Sequence, residues 1–247
     1  MEKTVAKSLM LFEFICHQEK PAGVTELANK FNLQKSNVHR LLNTLVELNY
    51  LKTADGGRYE PTLKAWEIGM RIVSRLDFVQ ITKPYLRTLS QQTGESIYLA
   101  RLTGTNVVYL DVIESSHPIR INAAIGGEGP AHCSASGKLL LAYHPKILSE
   151  VISRPLTKYT SRTPVRKADL IKLIDEILKQ GFAVNDGEWV EGVAGVAAPI
   201  HSRHEQGVAA IGITGPRERI HKHSVKRLSK LVTSTAALIS HELGYRV

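Results

Sequence analysis

The chain has 247 residues, of which 43% are apolar and 22% are charged, and its formal net charge is +9. These fractions are typical of globular proteins and exclude disordered and fibrous classes, and no run approaches the ~18 consecutive apolar residues of a membrane span. The two cysteines, Cys16 and Cys133, are too few for a disulfide framework, which predicts a reducing, cytoplasmic environment. The positive charge is spread along the whole chain, so by itself it does not indicate a nucleic-acid partner.

The first sixty residues predict three short helices followed by a hairpin. Apolar residues at helical spacing indicate a first helix over 4–19, and a second helix over 25–31, which the hydroxyl of Thr25 can cap. A third helix is predicted over 34–48, and the Asp-Gly turn within 50–60 indicates a two-stranded hairpin. This order of elements is typical of a winged helix-turn-helix.

The third helix combines an apolar inner face with a polar outer face. No acidic residue lies between Glu26 and Glu47, whereas Asn37 and Arg40 can each make a bidentate contact with a base edge. The residues predicted to contact DNA, on the helices and on the wing, are Thr25, Lys35, Ser36, Asn37, His39, Arg40, Thr44, Lys52, Arg58 and Tyr59. The alternative is a plain three-helix module whose polar face only meets water.

The rest of the chain alternates helices with strands. A connecting helix is predicted over 63–76, and a further helix ends at Gly94, a favourable C-cap residue. The later elements are predicted as strands over 97–100 and 107–110, a helix through 143, a helix over 168–180, strands over 193–200 and 208–214, and a final helix over 217–243. Two domains follow, roughly 1–75 and 76–247.

A Gly-rich stretch in the second domain leads into a helix start that suits a small anion. The hydroxyls of Ser134 and Ser136 and the free N–H groups of the first helical turn are donors for such a ligand. Gly195, Gly212 and Thr214 leave room on two predicted strands. The alternative is that the serines only form a loop and a helix cap.

Catalytic and metal-binding interpretations have little support in the sequence. Cys133 stands beside His132, but neighbours in a strand or loop point apart, and a free cysteine is more often a small buried apolar residue. The remaining histidine pairs lack the ligand spacing of a structural zinc site. We therefore expect no catalytic residues, no metal and no cofactor.

Two segments of the sequence resemble a known family of proteins. Residues 24–28 (Val-Thr-Glu-Leu-Ala) and 33–42 resemble the helix-turn-helix of the isocitrate lyase regulator (IclR) family of bacterial transcription factors. The resemblance continues through 127–142 and 180–200, in the same order as in the family. At Asn185 and Gly212 the chain departs from the acid and the serine of the family's best-known pattern.

The resemblance implies an α+β fold, in which a winged helix-turn-helix (1–61) is joined by a linker helix (62–76) to a GAF-like α/β effector-binding domain (77–247). It implies a cytoplasmic regulator that binds an inverted-repeat DNA operator as a homodimer and responds to a small organic or sugar acid, without membrane contact. The implied effector-binding residues are Ser134, Ala135, Ser136, Gly137, Asn185, Glu188, Val193, Gly195, Gly212 and Thr214. Most characterised relatives favour a repressor.

The residues alone leave several alternatives open. One is an enzyme that uses the C-terminal Ser, Cys and His residues on a small acid, and another is a DNA-architectural protein without a ligand. Activation instead of repression also stays open, as does the pairing of dimers into tetramers.

Overall fold

The computed structural model describes residues 2–118 and 124–246. The chain divides into two compact units, Met1–Arg75 and Leu76–Val247, and each is described by itself. Within the described ranges, no helix combines the length and the apolarity needed to cross a membrane.

Three helices enclose the core of the first unit. They are α1 (Lys3–Cys16), α2 (Val24–Phe31) and α3 (Lys35–Glu47). Leu11, Leu27 and Leu42, one from each helix, are fully buried where the helices meet. Asn32 turns the chain between α2 and α3 with a φ of 51°, a left-handed conformation that asparagine tolerates better than most residues.

The start of α2 differs from the prediction. The helix begins after Gly23, whose N–H donates to the Glu26 carboxylate at 3.4 Å, and Thr25 lies exposed in the first turn. The prediction that Thr25 caps this helix is wrong, because the helix already begins at Val24, so Thr25 lies inside the first turn and Gly23 holds the N-cap position. The negative charge of Glu26 also interacts favourably with the helix dipole.

A hairpin and a further helix complete this unit. Strands β1 (Leu51–Ala54) and β2 (Arg58–Pro61) pair antiparallel, and helix α4 (Lys64–Val73) follows them. Gly56 and Gly57 turn the hairpin with φ values of 71° and 67°, which residues other than glycine adopt only with strain. The order of three helices and a hairpin agrees with the predicted winged helix-turn-helix.

Two helices of the first unit expose large apolar side chains. Leu63, Trp66 and Ile72, in and just before α4, are 74%, 63% and 59% exposed. Val5 and Leu9 on α1 are 56% and 52% exposed. Clusters of exposed apolar side chains are typical of surfaces that pack against another protein chain.

The second unit consists of one antiparallel sheet and five helices within its described residues. Its strands are β3 (Ser96–Thr103), β4 (Asn106–Ile113), β5 (Glu128–Pro130), β6 (Ala183–Asp186), β7 (Val193–Ile200) and β8 (Ala209–Pro216). Its helices are α5 (Asp77–Thr93), α6 (Ala135–Tyr143), α7 (Pro145–Ser153), α8 (Lys167–Gln180) and α9 (Lys222–Glu242). The strands lie in the order β5-β4-β3-β8-β7-β6, so that β3 and β8 occupy the centre.

Helices cover both faces of this sheet. Tyr98 and Ala100 on β3 pack in a core with residues of α6, α7 and α8. Ile97 and Leu99 alternate with them and therefore point to the other face, where α5 and α9 pack on the strands. The start of α6 consequently lies against the central strands, which positions the site described below.

The predicted long elements are present, with shifted ends. Gly94 ends α5 with a φ of 72°, as its C-cap prediction required. The final helix begins at Lys222 instead of 217, and α1 ends at Cys16 instead of 19. The strands β5 and β6 were not predicted, because three or four residues carry no measurable hydrophobic period. Helix α7 was also missed, although a proline at its first position favours a helix start.

Candidate functional sites

Helix α3 presents the polar face that the sequence predicts. Lys35, Ser36, His39, Arg40 and Thr44 are exposed on it, and none of them forms an ion pair within residues 2–118 and 124–246. Their exposure places charged and hydroxyl groups where phosphates and base edges can reach them.

Asn37 is only partly exposed, and it positions its neighbour. Its Oδ1 accepts a hydrogen bond from the Arg40 guanidinium at 3.2 Å, and the hydroxyl of Thr44 donates to the Arg40 carbonyl at 3.1 Å. The guanidinium is therefore held near the middle of the exposed face, with donors left for a second partner.

The wing contributes less free surface than predicted. Tyr59 is 5% exposed, and its hydroxyl donates to Asn43 Oδ1 at 3.2 Å, so its ring belongs to the core. The prediction of Tyr59 as a DNA-contacting side chain is therefore wrong, because β2 turns this residue inward, where its backbone pairs with Ala22.

Two basic residues of the wing have acidic partners. Arg58 donates to the Pro21 carbonyl at 2.5 Å and to the Glu26 carboxylate at 2.8 Å, which ties the wing to the start of α2. Lys52 pairs with Glu60 at 2.9 Å, although its side chain stays 63% exposed. Arg58 thus has a structural role in this unit, whereas Lys52 can still reach a partner in solution.

The second unit contains a partly open cavity of about 260 Å³ between the start of α6 and the sheet. Eight of the ten predicted effector-binding residues line it: Ser134, Ala135, Ser136, Asn185, Val193, Gly195, Gly212 and Thr214. These residues come from three separate parts of the chain, and β7 and β8 bring two of those parts together as neighbouring strands.

Ser134 and Gly137 shape the start of α6. The Ser134 hydroxyl accepts from the Gly137 N–H at 3.1 Å and donates to the Pro130 carbonyl at 2.8 Å. A Cβ at Gly137 would lie 2.4 Å from the Ala131 Cα, so only glycine fits there. The predicted contact residue Gly137 does not line the cavity, and both residues fix the helix end instead of pointing free donors at a ligand.

Two glycines on the strands create the space for a ligand. A Cβ at Gly195 would lie 2.9 Å from Thr214 Oγ1, and one at Gly212 would lie 3.2 Å from Ser136 Oγ. Both hydroxyls therefore stand close to the strand backbone and border the same space. Neither hydroxyl forms a hydrogen bond with another residue in the described ranges.

Aromatic side chains that the sequence reasoning missed form another wall. Tyr98, Tyr109, Trp189, Val190 and Val196 also line the cavity, and the rings of Tyr98 and Tyr109 lie 5.0 Å apart. Burial, with a smaller contribution from Tyr98, raises the pKa of Tyr109 to about 12, so its hydroxyl stays a neutral donor. An aromatic residue on a predicted strand suggests only a core position, so the sequence carried no signal for Tyr98 and Tyr109, and Trp189 lies in the loop after β6.

Glu188 does not line the cavity and serves it indirectly. Both of its carboxylate oxygens accept from the Lys138 ammonium, which is 1% exposed on α6 and also donates to the Val184 carbonyl at 2.8 Å. Burial raises the pKa of Glu188, although the Lys138 charge opposes this effect. The Glu188 N–H donates to Asn185 Oδ1 at 2.8 Å, which leaves the Asn185 amide nitrogen as a donor at the cavity wall.

The cavity lining contains neutral donors and apolar surface but no charged side chain among the described residues. The first turn of α6 adds backbone N–H groups that have no partner inside the helix, and the positive end of the helix dipole. Such an arrangement suits one carboxylate group with an apolar body.

The thiol beside this cavity is unsuited to catalysis. Cys133 is fully buried, and burial raises its pKa to about 12, so the nucleophilic thiolate is scarce at neutral pH. The described residues contain no group of three or more His, Cys, Asp or Glu side chains that could hold a metal ion.

Two family models match the chain. The IclR helix-turn-helix domain matches residues 4–55, and the bacterial transcriptional regulator IclR C-terminal model matches residues 70–241. The chain belongs to the IclR family. The predicted fold class and family resemblance are thus confirmed, and this IclR-family chain is a DNA-binding transcriptional regulator.

Curated relatives of this IclR-family regulator agree with that assignment. It is 29% identical over 231 residues to the HTH-type transcriptional regulator KdgR of Escherichia coli (strain K12), covering 92% of this chain and 88% of KdgR. It is 28% identical over 247 residues to the transcriptional repressor IclR of the same organism, covering 98% and 90% of the two chains. These relatives are regulators and not enzymes.

Solved structures share the fold over the full length. The Thermotoga maritima IclR structure has a TM-score of 0.76 and 28% sequence identity, and covers 99% of this chain and 100% of its own. An IclR homologue from Microbacterium hydrocarbonoxydans, solved in complex with 4-hydroxybenzoate, has a TM-score of 0.84 and 23% identity, with 98% and 99% coverage.

Proposed function

We propose that this regulator is a cytoplasmic repressor that binds an inverted-repeat operator as a homodimer and releases it in response to a small organic acid. Residues 1–61 would read DNA, 62–76 would connect the domains, and 77–247 would bind the effector. The observation that carries the proposal is the cavity at the start of α6, because its donors are free and its walls are apolar.

The effector is proposed to place its carboxylate at the first turn of α6. The carboxylate would accept hydrogen bonds from the hydroxyls of Ser136 and Thr214, from the Asn185 amide and from helix N–H groups. Its body would lie against Tyr109 and Trp189, which favours an aromatic or branched acid over a highly hydroxylated sugar acid. The 4-hydroxybenzoate complex of the Microbacterium homologue is consistent with such a ligand.

DNA reading is proposed to depend on the exposed face of α3. Arg40 and Asn37 are assigned to base edges, and Lys35, Ser36 and Thr44 to phosphates and adjoining bases, with His39, Lys52 and Thr25 at the periphery. A single recognition helix covers few base pairs, so two copies are needed for specificity in a genome.

The dimer is proposed to use the exposed apolar side chains of the first unit. The side chains that would be buried against a second copy are Leu63 just before α4, Trp66 and Ile72 on α4, and Val5 and Leu9 on α1. The two recognition helices would then reach half-sites ~34 Å apart or a multiple of it. A ligand that prefers one arrangement of the domains would shift operator affinity by ~1–3 kcal/mol.

The proposal is tested by selecting bound fragments of the source genome with purified full-length protein at ~150 mM salt, which suppresses nonspecific phosphate binding. Enrichment of an inverted repeat, lost when an aromatic carboxylate is added, is the expected result. Enrichment of a single half-site would contradict the dimer, and a repeat that no organic acid releases would contradict the effector assignment.

A further inference from the structure

We propose that the C-terminal unit binds a second carboxylate ligand, in a cavity formed by the end of α9 and the end of β7. This cavity has a volume of about 620 Å³ and shares no lining residue with the effector pocket. Its size lies within the range of small-molecule sites. The proposal does not depend on the first pocket being the effector site.

The segment after α9 builds one side of the cavity. Gly244 reverses the chain with a φ of 76°, and the Tyr245 N–H donates to the Ser240 carbonyl at 3.0 Å. The His201 N–H donates to Ser240 Oγ at 2.9 Å, and the Arg203 N–H donates to the Leu243 carbonyl at 3.1 Å. These bonds fix the residues that follow α9 against the residues that follow β7.

Three aromatic rings line the cavity in a row. The His201 ring lies 5.1 Å from the Tyr143 ring and 4.7 Å from the Tyr245 ring, measured between centroids. His201 Nδ1 accepts from the Gly207 N–H at 2.9 Å, so the neutral ring carries its proton on Nε2. Burial lowers the pKa of His201, and Nε2 has no hydrogen-bond partner among the residues that the structure describes.

Positive charge is concentrated at the same place. Arg246 lines the cavity, and together with Arg203 and Tyr245 it lines an adjoining cavity of about 500 Å³. No acidic side chain lines either cavity within the described ranges, and neither arginine forms an ion pair there. A guanidinium without an acidic partner is the group that proteins most often use for a carboxylate.

The remaining walls indicate what kind of acid fits. Pro199, Ala236 and Ala237 are small and apolar, and the tyrosine rings offer flat faces. A monocarboxylate with an aromatic or branched body would place its apolar part against these walls. Its carboxylate would accept hydrogen bonds from Arg246, Arg203 and the His201 Nε2–H. Such a site gives the regulator a second chemical input beside the α6 pocket.

The test counts bound ligand on the full-length protein, with 4-fluorobenzoate as the probe, by equilibrium dialysis and by its fluorine NMR signal. The wild type is expected to bind two equivalents per chain, one in each cavity, and Ser136→Trp, which fills the α6 pocket, is expected to keep the equivalent in the second cavity. Ala237→Phe, which fills the second cavity from an exposed position on α9, should bind one. The double variant Arg203→Ala/Arg246→Ala should weaken the second equivalent about tenfold or more, because charged hydrogen bonds are lost.

The control is the double variant Arg227→Ala/Lys230→Ala, which removes the same charge from exposed positions on α9 and should bind like the wild type. Unchanged thermal denaturation of each variant shows that it is folded. Failure of Ser136→Trp to bind the probe, up to about 1 mM, would overturn the proposal whatever number of equivalents the wild type binds. It would also be overturned if Ala237→Phe kept both equivalents, or if this variant changed the mass of the protein in light scattering, which would make the cavity an interface between copies.

Discussion

The buried pair of Lys138 and Glu188 holds α6, β6 and the loop after β6 together, and its removal has a calculable cost. Lys138→Met deletes all three hydrogen bonds of the ammonium group and leaves the Glu188 carboxylate, whose side chain is 14% exposed, without a counter-charge. Removing one partner of a buried ion pair costs ~3–5 kcal/mol. Because Glu188 retains some contact with water and can take up a proton, we expect about 3 kcal/mol.

The double variant Lys138→Met/Glu188→Gln removes the stranded charge as well. We expect it to recover at least ~1 kcal/mol of the free energy of unfolding that is lost in the single variant. Replacing both members of a buried ion pair by uncharged groups destabilises a protein less than removing only one of them. The assay is urea denaturation followed by Trp189 fluorescence in a Trp66→Phe background, because these are the two tryptophans of the chain.

The pH dependence supplies a further check on the same reasoning. In Lys138→Met the pKa of Glu188 is raised further above its unfolded value, so the folded state holds the proton more tightly. The destabilisation should therefore be smallest below about pH 4.5 and should grow as the pH rises to neutrality. A loss below about 1 kcal/mol at neutral pH, or a double variant no more stable than the single one, would refute the argument.

Three other variants address the reading helix, the pocket and the buried histidines. Arg40→Ala should weaken specific operator binding by ~1–3 kcal/mol and relax the sequence preference. The measurement is fluorescence anisotropy, with Arg71→Ala as a charge control. An equal loss of affinity for random DNA would show that Arg40 contacts a phosphate instead of a base. Ser136→Trp should fill the pocket and abolish the ligand response while operator binding persists, and a surviving response would disprove the pocket assignment. Burial lowers the pKa values of His132 and His201, so the stability that they contribute is present above about pH 6.5 and is lost as the pH falls through the lowered values. Urea midpoints from about pH 7.5 to about pH 5 should fall less steeply in His132→Gln/His201→Gln, and an unchanged slope would exclude these residues as the cause.

The reading helix was predictable because α3 carries a long apolar stripe whose period fixes both its type and its inner face. Tyr59 was misassigned because the hairpin is only four residues long on each side, and a one-residue change of register reverses which side chains face the core. Both the apolar stripe of α3 and the alternation of the hairpin are local patterns, which involve only residues close together in the sequence.

The pocket was predicted through family resemblance and not through periodicity. Ser136, Asn185 and Gly212 lie far apart in the sequence, and only the strand order brings them together. Tyr109 and Trp189 were missed because a buried aromatic residue on a core face and one on a pocket wall look alike in a sequence. The partnership of Lys138 with Glu188 could not be predicted either, since a lysine in a helix is usually exposed.

The uncharged lining of the α6 pocket has a consequence for how the protein would respond to changes in intracellular ionic strength. Binding of an acid there relies on short-range hydrogen bonds and helix N–H groups, which dissolved ions screen little. Operator binding relies on phosphate contacts, whose affinity falls steeply as salt rises. When a cell accumulates ions, the operator would therefore lose bound protein while the affinity of the protein for its effector stays almost constant. The same effector concentration would then release the DNA more completely at high intracellular salt than at low salt.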